Sequence, residues 1–317
     1  MEQLQSNMRI AGVDVGKRRL DAAVHGGVEE IGVENTPKGW SELLAWLKAQ
    51  GVGRVGLEAS GGQERGVRGA AEAAGLEVVV HQPLEVRLYA RLKRIRAKND
   101  KLDAKVIAAA TAQVEAVRAA QDPRLQALAE QLTAYEQTSE LIAQVKTFLE
   151  SHTAEDLIAA FKAHLRSLAA AKARLAARII EMIRAHPDLA ERYELLRSLP
   201  GFGPIVAAST VIRMPELGAM RHGQAASLIG VAPFDRDSGQ HKGQRFISGG
   251  RARPRRLLYL AALAAKRCDP SFKTFADRLR ANGKAPKVAI VAVMRKLIEA
   301  ANLVLQRRQP WLKHANT

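Results

Sequence analysis

Glycine is absent between Gly75 and Gly201, although the 317-residue chain holds 24 glycines. A stretch this long without the residue that turns most easily through positive φ favours long helices. Leu125, Leu128, Leu132 and Tyr135 recur at alternating spacings of three and four. Phe161, Leu165, Leu168, Leu175, Ile179 and Met182 fall largely on a heptad stripe. Ser151-His152-Thr153 followed by Ala154-Glu155-Asp156 reads as a helix break and a new N-cap. Two long helices joined near 151–155 are expected. They pack on each other or on a second subunit as a coiled coil, or serve as ordinary core helices.

Residues 8–118 read differently, as an α/β unit. Met8–Val15 is an apolar strand running into a tight turn. Leu20–Val24 and Ile31–Val33 follow as short strands around a His25-Gly26-Gly27 turn. Ser41–Leu47 has helical spacing, Val55–Glu58 is a short strand, Gln63 to Ala74 a helix, and Leu76–Val80 a strand stopped by Pro83. Three strands followed by alternating helix and strand imply a mixed sheet. From about 191 the chain changes again. Leu199–Pro204 is a turn, Ile205–Ile212 and Gln224–Ile229 are helices, and 230–256 is a loop rich in Gly, Ser and Arg. Two more helices cover about 257–267 and 286–305, before a tail at 309–317. The expected domains are therefore 1–118, 119–190 and 191–317.

Hydrophobic residues make up 47%, enough for a real core, and the formal net charge is +17 with a pI near 10.3. Such an excess favours a polyanionic partner, though a basic protein with no such partner is the plainer alternative. One cysteine, Cys268, excludes an intramolecular disulfide and any cysteine-built zinc site. The eight histidines are scattered, the N-terminus carries no signal peptide, and no run of about 18 apolar residues suggests a membrane span. A soluble intracellular protein is expected, with no membrane partner.

Asp14 and Glu58 each end an expected strand, while Asp100 and Asp103 share a face at the start of an expected helix. Two strand-end carboxylates and a helical pair suit a two-magnesium phosphodiester site. Hard oxygen ligands hold Mg²⁺, and two metals about 4 Å apart clamp the attacking and leaving oxygens. Each acid alone has a plain alternative: a turn cap for Asp14, a surface carboxylate for Glu58, a helix cap for Asp100 and a favourable first-turn charge for Asp103. An acid at the end of an apolar strand is harder to dismiss, because burying an unpaired charge is costly.

Two acid-free basic runs accompany the acids: Arg87, Arg91, Lys93, Arg94, Arg96 and Lys98, then Lys242, Arg245, Arg251, Arg253, Arg255 and Arg256. They suit phosphate contacts, or solvated faces. Aromatics total only 4%, so base stacking is not expected to dominate binding. Leu199–Pro204 resembles the hairpin of a helix-hairpin-helix motif, in which Gly201 and Gly203 would let backbone N–H groups approach a phosphate. Ser238, in Pro233-Phe234-Asp235-Arg236-Asp237-Ser238-Gly239, is placed to attack phosphorus beside arginines. From the residues alone, Asp-Ser-Gly reads first as an ordinary turn, and no activating base is evident. Ser248 is a competing candidate, and His241 is close in sequence without further support.

Taken together, Gly12-Val13-Asp14-Val15-Gly16-Lys17, Leu57-Glu58-Ala59-Ser60-Gly61 and Asn99-Asp100-Lys101-Leu102-Asp103-Ala104 resemble the three acidic motifs of the DEDD-type insertion-sequence transposases. These recombinases are guided by a bridge RNA and are related to Piv-type DNA invertases. The C-terminal half matches in order, through Leu199–Pro204, Gly230-Val231-Ala232-Pro233 with Asp237-Ser238-Gly239, then Gly249-Gly250-Arg251 and Leu257-Leu258-Tyr259. The resemblance implies a RuvC-like RNase H fold, then a coiled coil, then a mostly helical transposase domain with the serine loop. It implies that Asp14, Glu58, Asp100 and Asp103 hold Mg²⁺ and that Ser238 forms a covalent phosphoserine link to a DNA end. It further implies composite sites between subunits of a dimer or tetramer, acting on donor and target DNA specified by a non-coding guide RNA.

The leading expectation is thus an RNA-guided DNA recombinase with a serine nucleophile and a carboxylate-bound Mg²⁺ centre. Its rivals are a metal-dependent nuclease or junction resolvase using water, a nucleic-acid-binding scaffold with a degenerate site, and a sugar-kinase-like ATPase. The missing phosphate-binding loops argue against the last.

Overall fold

The period-two pattern of the first strand decides the N-terminal architecture. In the computed structural model, which describes residues 8–95, 100–115, 122–234 and 245–312, the first three strands are β1 (Arg9–Val15), β2 (Arg19–Val24) and β3 (Glu30–Glu34). After α1 (Pro37–Ala49) come β4 (Val52–Glu58), α2 (Arg65–Ala73) and β5 (Glu77–His81). The sheet order is β3-β2-β1-β4-β5. The pairs β3/β2 and β2/β1 are antiparallel, and β1/β4 and β4/β5 are parallel. This is the mixed sheet expected from sequence.

Ala11, Val13 and Val15 of β1 and Val55 and Leu57 of β4 point to one face. There they bury against Leu43 and Leu47 of α1 and Val67 and Ala71 of α2. Thr36 caps α1 by accepting the Gly39 N–H at 3.3 Å, and Pro37 opens its first turn. On the other face lie α3 (Pro83–Leu92) and α4 (Asp100–Thr111), which meet through Val86, Val106 and Ile107. Pro83 does stop β5, but it also starts α3, a helix that the sequence patterns did not suggest. A Gln82/Glu85 capping box fixes that start.

The chain forms two compact units, Met1–Gln121 and Asp122–Thr317. The second begins with α5 (Pro123–Ser151) and α6 (Glu155–Arg184), which pack on each other. Lys172 lies over the Tyr135 ring at 5.1 Å, and near the turn the His152 and Phe161 rings stack with centroids 5.2 Å apart. The expected break at 151–155 is there. The N-cap position, however, falls on Ala154, which offers no side-chain cap, so Glu155 and Asp156 favour this helix start only through its dipole.

The open ends of α5 and α6 are built into the C-terminal helices. Leu125, Leu128, Leu132, Ile179 and Ile183 enter one core with the helices α7 (Pro187–Arg197), α8 (Pro204–Arg213), α9 (Gln224–Ile229), α10 (Ala252–Cys268), α11 (Pro270–Ala281) and α12 (Pro286–Arg307). α12 supplies the most deeply buried stripe, including Val293, Leu297 and Ala301. Neither α7 nor α11 was expected from sequence. The expected loop at 230–256 is also shorter than anticipated: a small ladder of β6 (Pro233–Phe234) with β7 (Phe246–Ile247) closes part of it, and α10 begins at Ala252. Among the described residues, no helix is long and apolar enough to cross a membrane.

Candidate active site

Val13 pairs with Leu57 across the parallel strands β1 and β4, so the next positions, Asp14 and Glu58, stand side by side at the two strand ends. Alternation turns both away from the Val13–Leu57 core and onto the face that α4 covers. Both carboxylates are half-buried.

What brings α4 so close is a pair of glycines in register, Gly12 and Gly56, on that same face. A β-carbon on Gly12 would stand 2.2 Å from both the carbonyl oxygen of Ala104 and the backbone nitrogen of Ala108. One on Gly56 would stand 1.8 Å from Thr111 Oγ1. The helix therefore lies on bare backbone, with Asp100 opening it and half-buried Asp103 immediately before Ala104. The side chains of residues 100–102 lie outside the described part of the structure.

Among the described residues, no group of three or more His, Cys, Asp and Glu side chains is gathered closely enough to hold a metal. The donor chemistry is nonetheless that of a hard divalent cation. Asp21 of β2 lies directly opposite Asp14, so Asp21, Asp14 and Glu58 occupy neighbouring positions on one face. Like charges facing each other across strands are destabilising, and a cation relieves that repulsion. For Asp21 the cation is present: Arg19 Nε donates to both of its carboxylate oxygens at 3.0 and 3.1 Å.

Sequence patterns gave no sign of three residues near the site. One is Asp21 itself, whose position opposite Asp14 follows only from strand register. Another is His81, aligned with Glu58 across β4 and β5 and buried. Its Nε2 sits 2.9 Å from Thr111 Oγ1, which donates to the Ile107 carbonyl at 2.7 Å, so β5 is tied to the far end of α4. Burial pushes the imidazole below its ordinary pKa, against an upward pull from Glu85. The third is Glu64, which organises the turn after Glu58 by accepting the N–H groups of Ser60 at 3.0 Å and Gly62 at 2.9 Å. Burial works to raise its carboxyl, but those N–H groups, its own and the Ser60 hydroxyl outweigh it and hold the pKa below its ordinary value.

Ser238, His241 and Lys242 lie outside the described residues; the base of their loop does not. Gly230 and Gly250 meet backbone to backbone: a β-carbon on Gly250 would stand 2.3 Å from the Gly230 nitrogen. Both have positive φ, 81° and 69°, so glycine is needed for conformation as well as space. Arg255 Nη1 donates to the carbonyls of Gly249 and, at 3.3 Å, Gly230, bracketing both ends of the loop. Arg251 donates its N–H to the Leu228 carbonyl at 3.0 Å and grips both carboxylate oxygens of Glu216 at 2.8 and 2.5 Å.

The second basic run is thus largely spoken for inside the protein. Arg253 bonds Glu136 at 3.0 Å, and Arg256 bonds Glu140 at 3.0 Å. Arg245 is exposed and has an interaction of its own. In the first run Arg87, Arg91, Lys93 and Arg94 are exposed on and just after α3, and Arg96 lies outside the described residues. Gly201 has φ 79° and presses on α10, where a β-carbon would stand 2.1 Å from the Ala261 carbonyl oxygen, whereas Gly203 faces open space. The α7–α8 turn therefore has a packing reason for its first glycine.

Residues 11–155 match the DEDD transposase family of IS110, described as "Transposase", and residues 193–277 match the "Transposase IS116/IS110/IS902 family". The chain is 25% identical over 322 residues to the pilin gene-inverting protein of Moraxella bovis, covering 95% of this chain and 97% of that one. It is 36% identical over 129 residues to the uncharacterized 42 kDa protein of insertion element IS900 from Mycobacterium paratuberculosis, covering 38% and 30%. Among solved structures, Thermus thermophilus RuvC covers 33% of this chain and 93% of its own at 20% identity. Its TM-score of 0.28 is too low to assign a fold. The first match covers the acidic unit and runs on through α5, the second covers the chain from α7 into α11, and such a chain is a transposase. It belongs to the DEDD-type IS110/IS116/IS902 family.

Proposed function

We propose that this transposase is an RNA-guided DNA recombinase that cuts and exchanges strands through Ser238, assisted by a carboxylate-bound Mg²⁺ centre on a RuvC-like domain. The observation that carries the reading is the side-by-side placement of Asp14 and Glu58 at two parallel strand ends, under a helix whose first turn holds Asp100 and Asp103. Those four acids would hold the metal. Bound there, Mg²⁺ supplies charge neutralisation for the attacking and leaving oxygens of a phosphodiester.

In the proposed step, Ser238 Oγ forms a bond to phosphorus while the bond to the leaving sugar oxygen breaks. The serine proton ends on that oxygen. One phosphodiester is exchanged for another, so rejoining needs no outside energy source. The loop base supports this role. A nucleophile on a long loop needs fixed ends, and the Gly230–Gly250 contact with Arg251 and Arg255 fixes them. Donor and target DNA, a guide RNA and a dimer or tetramer belong to the same reading.

The test is processing of donor and target DNA with guide RNA and Mg²⁺. Asp14→Asn and Glu58→Gln should each lower the rate at least a hundredfold while leaving circular dichroism unchanged. Wild-type rates in either variant would remove the carboxylate centre. A second reading, a metal-dependent nuclease in which water attacks, draws on the same carboxylates, all within the Met1–Gln121 unit. It differs in leaving no protein on the DNA.

A further inference from the structure

We propose that the cleft between α10, α11 and α12 grips a single-stranded nucleic-acid segment. The inference rests on the proposed nucleic-acid function and names a surface that neither basic run includes. The cleft has a volume of about 790 Å³ and is lined by Lys266, Arg267, Lys273, Arg280 and Lys287, with one carboxylate, Asp277.

The charges here differ from those at 251–256. Asp277 engages Lys266 at 3.5 Å, and among the described residues Arg280 reaches only the Lys284 carbonyl at 3.4 Å. Arg267, Lys273 and Lys287 are exposed and have no ion-pair partner among the described residues. Three uncompensated cations at one concave site repel each other. A low-dielectric cleft concentrates their field on an incoming anion. α12 begins at Pro286 on the cleft's edge, so the positive end of a 22-residue helix adds to that field.

Shape selects the form of polyanion. Tyr259, Leu263 and Ile290 give the cleft an apolar lining between the cations. A duplex turns its phosphates outward and keeps its bases stacked inside, so it would meet the cations but leave that lining uncovered. A single strand offers both, with its backbone on the cations and an unstacked base against Tyr259.

The experiment is fluorescence anisotropy of the full chain against a labelled 20-nucleotide DNA strand, the same RNA strand and the DNA duplex, across a salt series. The cleft variant is Lys273→Glu/Arg280→Glu/Lys287→Glu. The control is Lys162→Glu/Arg166→Glu/Arg174→Glu on exposed positions of α6, with the same change in charge. Single-strand binding should fall about tenfold or more in the cleft variant, with the salt slope reduced by about two, the value for three phosphate contacts. The control should change less than threefold. Tyr259→Leu should weaken single-strand binding with the slope unchanged. A loss confined to RNA would identify a guide-RNA segment as occupant, and one confined to DNA a displaced DNA strand; either supports the proposal. Equal losses in cleft and control variants would overturn it. So would duplex binding that falls as far as single-strand binding while Tyr259→Leu is neutral. If wild type and cleft variant bind alike while Ser238-dependent DNA processing persists, the cleft proposal alone fails. If wild type binds no nucleic acid, the reading beneath it fails.

Discussion

Gly12 lies so close beneath Ala104 that a β-carbon at position 12 would stand 2.2 Å from the Ala104 carbonyl oxygen. The contact joins the strand that carries Asp14 to the helix that carries Asp103. That oxygen and the Ala108 nitrogen, also 2.2 Å away, are backbone atoms, so nothing flexible can yield. Gly12→Ala should cost about 1–3 kcal/mol through overpacking. It should also depress strand cleavage more than that loss of stability explains, because lifting α4 moves two of the four acids. Urea denaturation beside a cleavage assay at a temperature where the variant is folded checks both. Unchanged stability would show that α4 does not press on the sheet.

Much of this site was legible in the sequence. Asp14 and Glu58 stand out because each ends an apolar strand, and the strand ends are where the structure puts them. Asp21 was not legible, since its place opposite Asp14 depends on a register that no spacing reveals. Gly12 and Gly56 look like ordinary strand glycines until α4 is placed above them. Period-three-to-four counting found the long helices but missed α3, α7 and α11. Pro83, Pro187 and Pro270 sit at the first position of each, a start signal that was there to be used. Gly249-Gly250-Arg251 stands out as a motif, but its reason, a backbone contact with Gly230, is long-range.

Arg255 should matter to the reaction more than to the fold. Arg255→Ala removes the donor that brackets Gly230 and Gly249, and we expect a stability loss of about 1 kcal/mol, typical of one hydrogen-bonded group at a partly exposed site. DNA processing should fall at least tenfold as the serine loop loses its fixed base. Hydrogen exchange should quicken at Phe234 and Phe246. Full activity with faster exchange would separate loop order from function.

The Glu64 carboxyl has a lowered pKa in the folded chain, so its contribution to stability is complete above the unfolded value of 4.5. It is lost as pH falls through the folded value, because the unfolded chain takes up the proton first. Glu64→Gln should therefore be less stable than wild type at neutral pH, and the difference should shrink below about pH 4.5. Thermal melts of both proteins from pH 7 to pH 3 check this. A difference independent of pH would mean that Glu64 holds the Ser60–Gly62 turn by shape and not by charge.

In the proposed reaction Ser238 becomes bonded to DNA. The direct measurement is a denaturing gel of the protein with labelled DNA, Mg²⁺ and RNA transcribed from the element's flanking non-coding region, wild type beside Ser238→Ala. The wild type should give a slow, protease-sensitive protein–DNA band and the variant none. Cleaved DNA without that band, in equal amounts from both proteins, would contradict it and leave water as the nucleophile.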